Sequence, residues 1–177
     1  MRKLVFCILL LGTAFASSVP RELKTEAEVA SVILSARREV LIVAPNLYSR
    51  EIANAVRRVL VEGQTPVRIL ADSSLVSQRG GFVATLALLS TKTPSKPARP
   101  IEVRVLEGID RANLVVDGSR TVSGPLVTET WTIGLLPTYF TADTSEAQRR
   151  LEVFKRNWAK AKPWSYSIQN PRFKPKP

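Results

Sequence analysis

The sequence of 177 residues contains no histidine. Without an imidazole the chain has no His general base, nucleophile or metal ligand, and its one cysteine, Cys7, is the sole source of a thiolate. Zinc enzymes, Ser-His-Asp hydrolases and Cys-His proteases are therefore excluded as activities of this chain alone. Carboxylates are also scarce: 15 Asp and Glu stand against 26 Lys and Arg, a formal net charge of +11. Hydrophobic residues at 45% and charged residues at 23% are ordinary globular values, which excludes a disordered or collagen-like chain. This length suits one domain, with a core large enough to need no disulfide.

The first residues read as a targeting signal. Met1-Arg2-Lys3 is a short positive stretch, residues 4–12 are apolar, and Ala14-Phe15-Ala16 meets the small-x-small rule for cleavage, so residues 1–16 are expected to be removed. The apolar stretch 4–16 spans 13 residues, well short of the roughly 20 that a membrane-spanning helix needs. Cys7 lies inside it without the small-residue context of lipoprotein processing. The expected mature protein is secreted or periplasmic and free of cysteine. Removing Arg2 and Lys3 leaves 24 basic against 15 acidic side chains, a net of +9.

The remainder of the chain alternates helix and strand. Thr25-Glu26-Ala27-Glu28 is a capping box, and Val29, Ile33 and Leu34 recur behind it at helical spacing, predicting a helix to Arg38. Residues 40–44, Val-Leu-Ile-Val-Ala, closed by Pro45, read as a buried parallel strand. Ser49 is placed to cap a second helix, with Ile52, Ala55, Val56, Val59 and Leu60 on one face and Arg50, Arg57 and Arg58 on the other, ending at Gly63. Residues 66–71 form the next strand, completing a right-handed βαβ unit.

Gly80-Gly81 and the apolar residues 82–89 predict a short third helix. Residues 91–100, with three prolines, two lysines and an arginine, predict a loop. Residues 101–106 alternate as a strand, and residues 113–116 and 120–122 flank Asp117-Gly118, a hairpin signal that needs no function to explain it. Residues 130–135 are a further strand candidate. Asp143 and Thr144 are placed to cap a last helix carrying Ala147, Leu151, Phe154 and Trp158 on one face, and residues beyond Ala161 are rich in proline and without periodicity. Arg57-Arg58 and Arg149-Arg150 read as solvated helix faces, and Trp131, Phe154 and Trp158 as core.

This order of elements resembles the phospholipase D superfamily, and within it the small, single-motif secreted nucleases. The residues that carry the resemblance are Val-Leu-Ile-Val-Ala-Pro at 40–45, Val-Arg-Ile-Leu-Ala-Asp at 67–72, the Val-Val-Asp-Gly hairpin at 115–118, Gly124 after the next strand, and the last helix with Phe154 and Trp158. Residues 29–72 and 103–158 fit it. It implies an α/β fold, a mixed and mainly parallel β-sheet flanked by helices in a single phospholipase D/nuclease-like domain over residues 17–162, with a basic, proline-rich tail at 163–177. It also implies a homodimer, because single-motif members pair two motifs across a two-fold axis.

The family's chemistry rests on His-x-Lys-x4-Asp, with His attacking phosphorus while Lys and a downstream Asn grip the phosphate oxygens. Placing the motif's Asp on Asp117 puts the nucleophile position at Asp110 and the lysine position at Ala112. The family's Gly-Ser-x-Asn falls on Gly124-Pro125-Leu126-Val127, so the amide position is Val127. Only Asp117 and Gly124 are retained. If the strand at 113–116 extends back, Asp110 and Ala112 share a face, and a carboxylate there repels a phosphodiester. No catalytic residue is intact, and no cofactor and no metal are expected.

Cations are concentrated at the end. Residues 155–177 contain Lys155, Arg156, Lys160, Lys162, Arg172, Lys174 and Lys176 and no acidic side chain, a net of +7, which leaves residues 17–154 at +2. Trp164, Tyr166 and Phe173 interleave with them, a composition suited to nucleic acid or to an anionic membrane surface as partner; a solvated basic terminus has the same composition. Two functions from different classes fit. One is a phospholipase D-like protein without its catalytic groups that binds a polyanion, nucleic acid or phospholipid headgroups. The other is an active phosphodiesterase using non-standard residues or completed by a partner chain. A third is a structural envelope or interaction domain with no anionic ligand.

Overall fold

The capping box at Thr25 forms. In the computed structural model, which describes residues 19–91, 101–128 and 136–164, the Thr25 hydroxyl accepts from the Glu28 amide at 3.2 Å and Glu28 Oε2 accepts from the Thr25 amide at 3.2 Å. Helix α1 (Glu26–Leu34) comes after a three-residue strand β1 (Arg21–Leu23) and ends earlier than the periodicity suggests. Its continuation is blocked because the amides of Arg37, Arg38 and Glu39 donate to the Asp117 carboxylate instead of to the preceding helical turn. Then come β2 (Val40–Ala44), α2 (Arg50–Val61), β3 (Val67–Asp72) and a short α3 (Val83–Ala87). Ser49 caps α2: its Oγ accepts from the Ile52 amide at 3.1 Å and donates to Glu26 Oε2 at 2.6 Å, so one hydroxyl joins the starts of both helices.

The second half contains β4 (Glu102–Leu106), the hairpin β5 (Asn113–Val116) and β6 (Arg120–Ser123), β7 (Thr138–Thr141), α4 (Thr144–Lys160) and β8 (Lys162–Pro163). Asp117 and Gly118 both adopt positive φ, 56° and 66°, as the tight turn requires. The eight strands form one sheet in the order β1-β7-β6-β5-β2-β3-β4-β8. The sheet is mixed, as expected, but its parallel part is smaller than expected. Only β2–β3 and β3–β4 pair in parallel; the other five pairings are antiparallel. Parallel neighbours need a crossover, and α2 and the α3 segment supply the two; the connections through α1 and α4 instead join strands that are not neighbours in the sheet.

Alternation along the strands divides the core. Val40, Ile42, Ala44, Val67, Ile69 and Ala71 face α1, α2 and α3, whereas Leu41, Leu70 and Val115 face α4 through Ala147 and Phe154. Phe154 and Trp158 stack with ring centroids 5.2 Å apart, and the Arg104 guanidinium lies 4.8 Å over the Trp158 ring. Three strands escape sequence reading. β1 is Arg-Glu-Leu and β7 is Thr-Tyr-Phe-Thr, neither with an apolar run, and β8 sits in proline-rich sequence. β8 is tolerated because Pro163 lies on a sheet edge, where a missing N–H costs no ladder bond. Trp164 then donates its amide to the Val103 carbonyl at 3.0 Å and packs on the main core. The segment expected to be tail from residue 163 is therefore docked at its start. The signal at residues 1–16, most of the 91–100 loop, the strand expected at 130–135 with Trp131, and the tail beyond Trp164 lie outside the described residues.

Candidate functional site

Parallel strands leave a crevice beyond their carboxyl ends. Here β2, β3 and β4 end at Ala44, Asp72 and Leu106. The antiparallel β5 starts beside them at Asn113, and β6 ends beside them at Ser123. The connections leaving this edge enclose an open cleft of about 1390 Å³. Tyr48, Gln78 and Arg79 come from the connections after β2 and β3; Asp110, Arg111 and Ala112 from the β4–β5 connection; Gly124 and Pro125 from the turn after β6; Leu136, Pro137 and Tyr139 from the entry to β7; and Arg150 from α4.

Buried polar groups fix these walls. Asn46 is fully buried; its Nδ2 donates to the Leu75 carbonyl at 2.6 Å, while its Oδ1 accepts the amides of Leu47 at 2.8 Å and Val83 at 3.3 Å. The Tyr48 hydroxyl donates to Gln78 Oε1 across the wall. Asp72 accepts the amides of Gly108 and Ile109, at 2.9 and 3.0 Å, together with the Ser74 amide and hydroxyl. The Ser74 hydroxyl bond is the main reason that its carboxyl stays below the usual range, with the backbone bonds outweighing burial. Gly124 adopts φ 137°, and a Cβ there would lie 2.5 Å from Thr138 Oγ1 and 2.6 Å from Thr138 Cα, so β7 approaches that turn as only glycine allows.

The motif positions separate into two groups. Asp110 and Ala112 line the cleft together with Gly124, but they lie in the connection leading into β5, not in the strand, so the shared-face expectation does not apply. Val127 is buried in the main core, in the 3₁₀ turn Pro125–Val127, and faces no solvent. Asp117 lies at the opposite end of β5. It accepts the amides of Arg38 at 2.7 Å, Arg37 at 3.1 Å and Glu39 at 3.2 Å, and pairs with Arg120 Nη2 at 2.9 Å. Burial raises its carboxyl, but these amides and the Arg120 charge outweigh burial and hold it below the usual range. Asp117 is a clamp between the hairpin turn and the α1–β2 connection.

Of the expected polyanion-binding residues, Lys155, Arg156, Lys160 and Lys162 are exposed on α4 and β8 and line no part of the cleft; Lys155 pairs with Glu152 at 2.9 Å. Trp164 is half-buried against the core. Arg172, Phe173, Lys174 and Lys176 lie outside the described residues. The cleft arginines escape sequence reasoning. Arg79 and Arg111 are exposed and make no ion pair among the described residues. Arg150 pairs with Glu146 at 2.6 Å, and the Arg149 side-chain bond, ahead of that of Arg150, pushes the Glu146 carboxyl down to about 2. Among the described residues no cluster of three or more Asp, Glu or Cys is placed to hold a metal ion. Among the described residues the cleft therefore offers guanidinium groups to an anion beside one carboxylate, Asp110.

No protein-family model matches the sequence, and no curated protein is similar to it in sequence. Solved structures are similar in fold. NucT from Helicobacter pylori is 18% identical with a TM-score of 0.65, the match covering 83% of this chain and 98% of that one. Nuc from Salmonella typhimurium, a phospholipase D family member, is 15% identical with a TM-score of 0.64, covering 84% of this chain and all of that one. TrmBL2, an archaeal chromatin protein with a novel mode of DNA binding, is 14% identical with a TM-score of 0.59, covering 88% of this chain and 57% of its own. The chain shares the fold of these structures, the second of which is a phospholipase D family member.

Proposed function

We propose that this phospholipase D-like chain binds phosphate diesters in its cleft without cleaving them. The observation that carries the reading is the cleft lining: among the described residues, Arg79, Arg111 and Arg150 stand beside one carboxylate, Asp110, in a chain with no imidazole. Guanidinium forks suit phosphate oxygens. Tyr48 and Tyr139 add aromatic surface of the kind on which bases stack. Among the described residues no cleft side chain repeats the nucleophile and acid pair of the family's chemistry, and the Asp110 carboxylate at the nucleophile position is repelled by the anionic oxygens around the phosphorus it would have to attack. Removal of residues 1–16 would place the protein outside the cytoplasm, which cell fractionation checks.

The test is retention of the protein on fluorescein-labelled oligothymidylate and on phosphatidylglycerol vesicles across a salt series, with bis(p-nitrophenyl) phosphate hydrolysis measured in parallel. Three phosphate contacts predict a log–log salt slope of roughly −2 on a single strand. Arg111→Ala is expected to make that slope shallower by about one contact. Salt-insensitive behaviour on both probes would sink the reading. Hydrolysis that scales with protein and disappears in Asp110→Ala would replace it with an active phosphodiesterase.

A further inference from the structure

The connection from β4 to β5 carries Asp110 and Arg111 into the cleft, and it is tied at two points. At one end the amides of Gly108 and Ile109 donate to Asp72 Oδ2, at 2.9 and 3.0 Å. At the other, the Ala112 carbonyl accepts the Gly124 amide at 3.2 Å. Between these ties the Arg111 side chain is exposed and makes no ion pair among the described residues, so its position is set by the backbone beneath it.

Asp72 is the side chain that supplies the first tie. It closes β3 and is only 6% exposed; its other oxygen is occupied by the Ser74 amide at 2.8 Å and the Ser74 hydroxyl at 2.5 Å. All four donors come from the two connections that form the cleft walls, after β3 and after β4. Its own amide donates to the Pro45 carbonyl at 3.2 Å, adding the connection after β2. A buried carboxylate with this donor set holds the connections after β3 and β4 in a fixed relation, and replacing it takes away the acceptor of the Gly108 and Ile109 amides.

We propose that Asp72 is a positioning residue for anion capture, setting Arg111 in the cleft through the Gly108 and Ile109 amides. This rests on the cleft being the phosphate-diester site. Asp72 itself touches no ligand; its effect on binding passes through Arg111.

A double-mutant cycle on Asp72→Asn and Arg111→Ala tests this, using whichever probe the wild-type protein retains, oligothymidylate or phosphatidylglycerol vesicles. Asp72→Asn is expected to weaken retention about tenfold and to make the salt slope shallower by about one contact, as Arg111→Ala does. In the Arg111→Ala background it is expected to cost nothing further. Equal losses in both backgrounds, or no loss in a variant whose circular dichroism matches wild type, would overturn the assignment while leaving the cleft reading in place. If the wild type retains neither probe, the cleft reading falls and this assignment falls with it. Should Asp72→Asn fail to fold, Ser74→Ala carries the same cycle, because it strips one donor and leaves the carboxylate; the expected loss is about threefold and again absent without Arg111.

Discussion

Asp117 accepts three consecutive backbone amides and an arginine, so its removal leaves these partly solvated donors without their protein acceptor. Asp117→Ala is expected to cost about 1–2 kcal/mol in urea unfolding. Its carboxyl lies below the usual range in the folded protein. The stability it provides is therefore fully present above about pH 4, where the unfolded carboxyl is ionised, and is lost as pH falls through the folded value. Melting temperatures of wild type and Asp117→Asn should accordingly differ at neutral pH and converge on acidification below about pH 4. A pH-independent difference would contradict this. The motif positions make the opposite prediction. Asp110 and Ala112 line the cleft, so Asp110→His with Ala112→Lys is expected to fold within about 0.5 kcal/mol of wild type. Val127 is buried among apolar side chains, so Val127→Asn is expected to cost about 3 kcal/mol by burying an unpaired amide. One set of denaturation curves checks both.

At the level of elements, local chemistry is legible wherever it is self-contained. The capping box at Thr25, the Ser49 cap and the Asp117-Gly118 turn each form from residues within a few positions of one another, and the apolar strands β2 and β3 fall where their composition places them. β1, β7 and β8 are not legible, because short polar strands acquire their pairing from neighbours distant in sequence. The end of α1 escapes periodicity for the same reason: the amides that would extend it are taken by a carboxylate some 80 positions on. Ser49→Ala is expected to cost about 1–2 kcal/mol, since it uncaps α2 and removes the hydroxyl that joins α2 to Glu26. Gly124→Ala is expected to cost about 3 kcal/mol or more, because its Cβ would overlap Thr138; a milder loss would mean that β7 moves freely.

Over the whole molecule, topology decides which cations meet. Arg150 reads from sequence as one more solvated helix residue, yet α4 crosses the sheet so that its side chain reaches the cleft. Arg111 lies beside a motif position, but the motif assigns nothing to it, so the sequence gives no reason to single it out. Periodicity identifies the exposed face of an element; where that face ends depends on strand order, which one sequence does not state. The basic residues of α4 and β8 that composition singles out lie away from the cleft. Charge reversal therefore separates their contributions: Lys160→Glu with Lys162→Glu is expected to reduce the salt dependence of retention while leaving the Arg111→Ala effect intact. Loss of the Arg111 effect would mean that the two regions form one site.

The Asp117 clamp bears on which motif positions the fold can let go. Of the six motif positions, the two whose residues match the pattern, Asp117 and Gly124, are the two whose side chain or missing side chain fixes how neighbouring backbone segments meet. Of those that differ, Asp110 and Ala112 line the cleft, whereas Val127 has become a core residue in its own right. If the protein binds without cleaving, as proposed, positions 110 and 112 are free to vary without unfolding it, whereas Asp117 and Gly124 stay under the same pressure as any core residue.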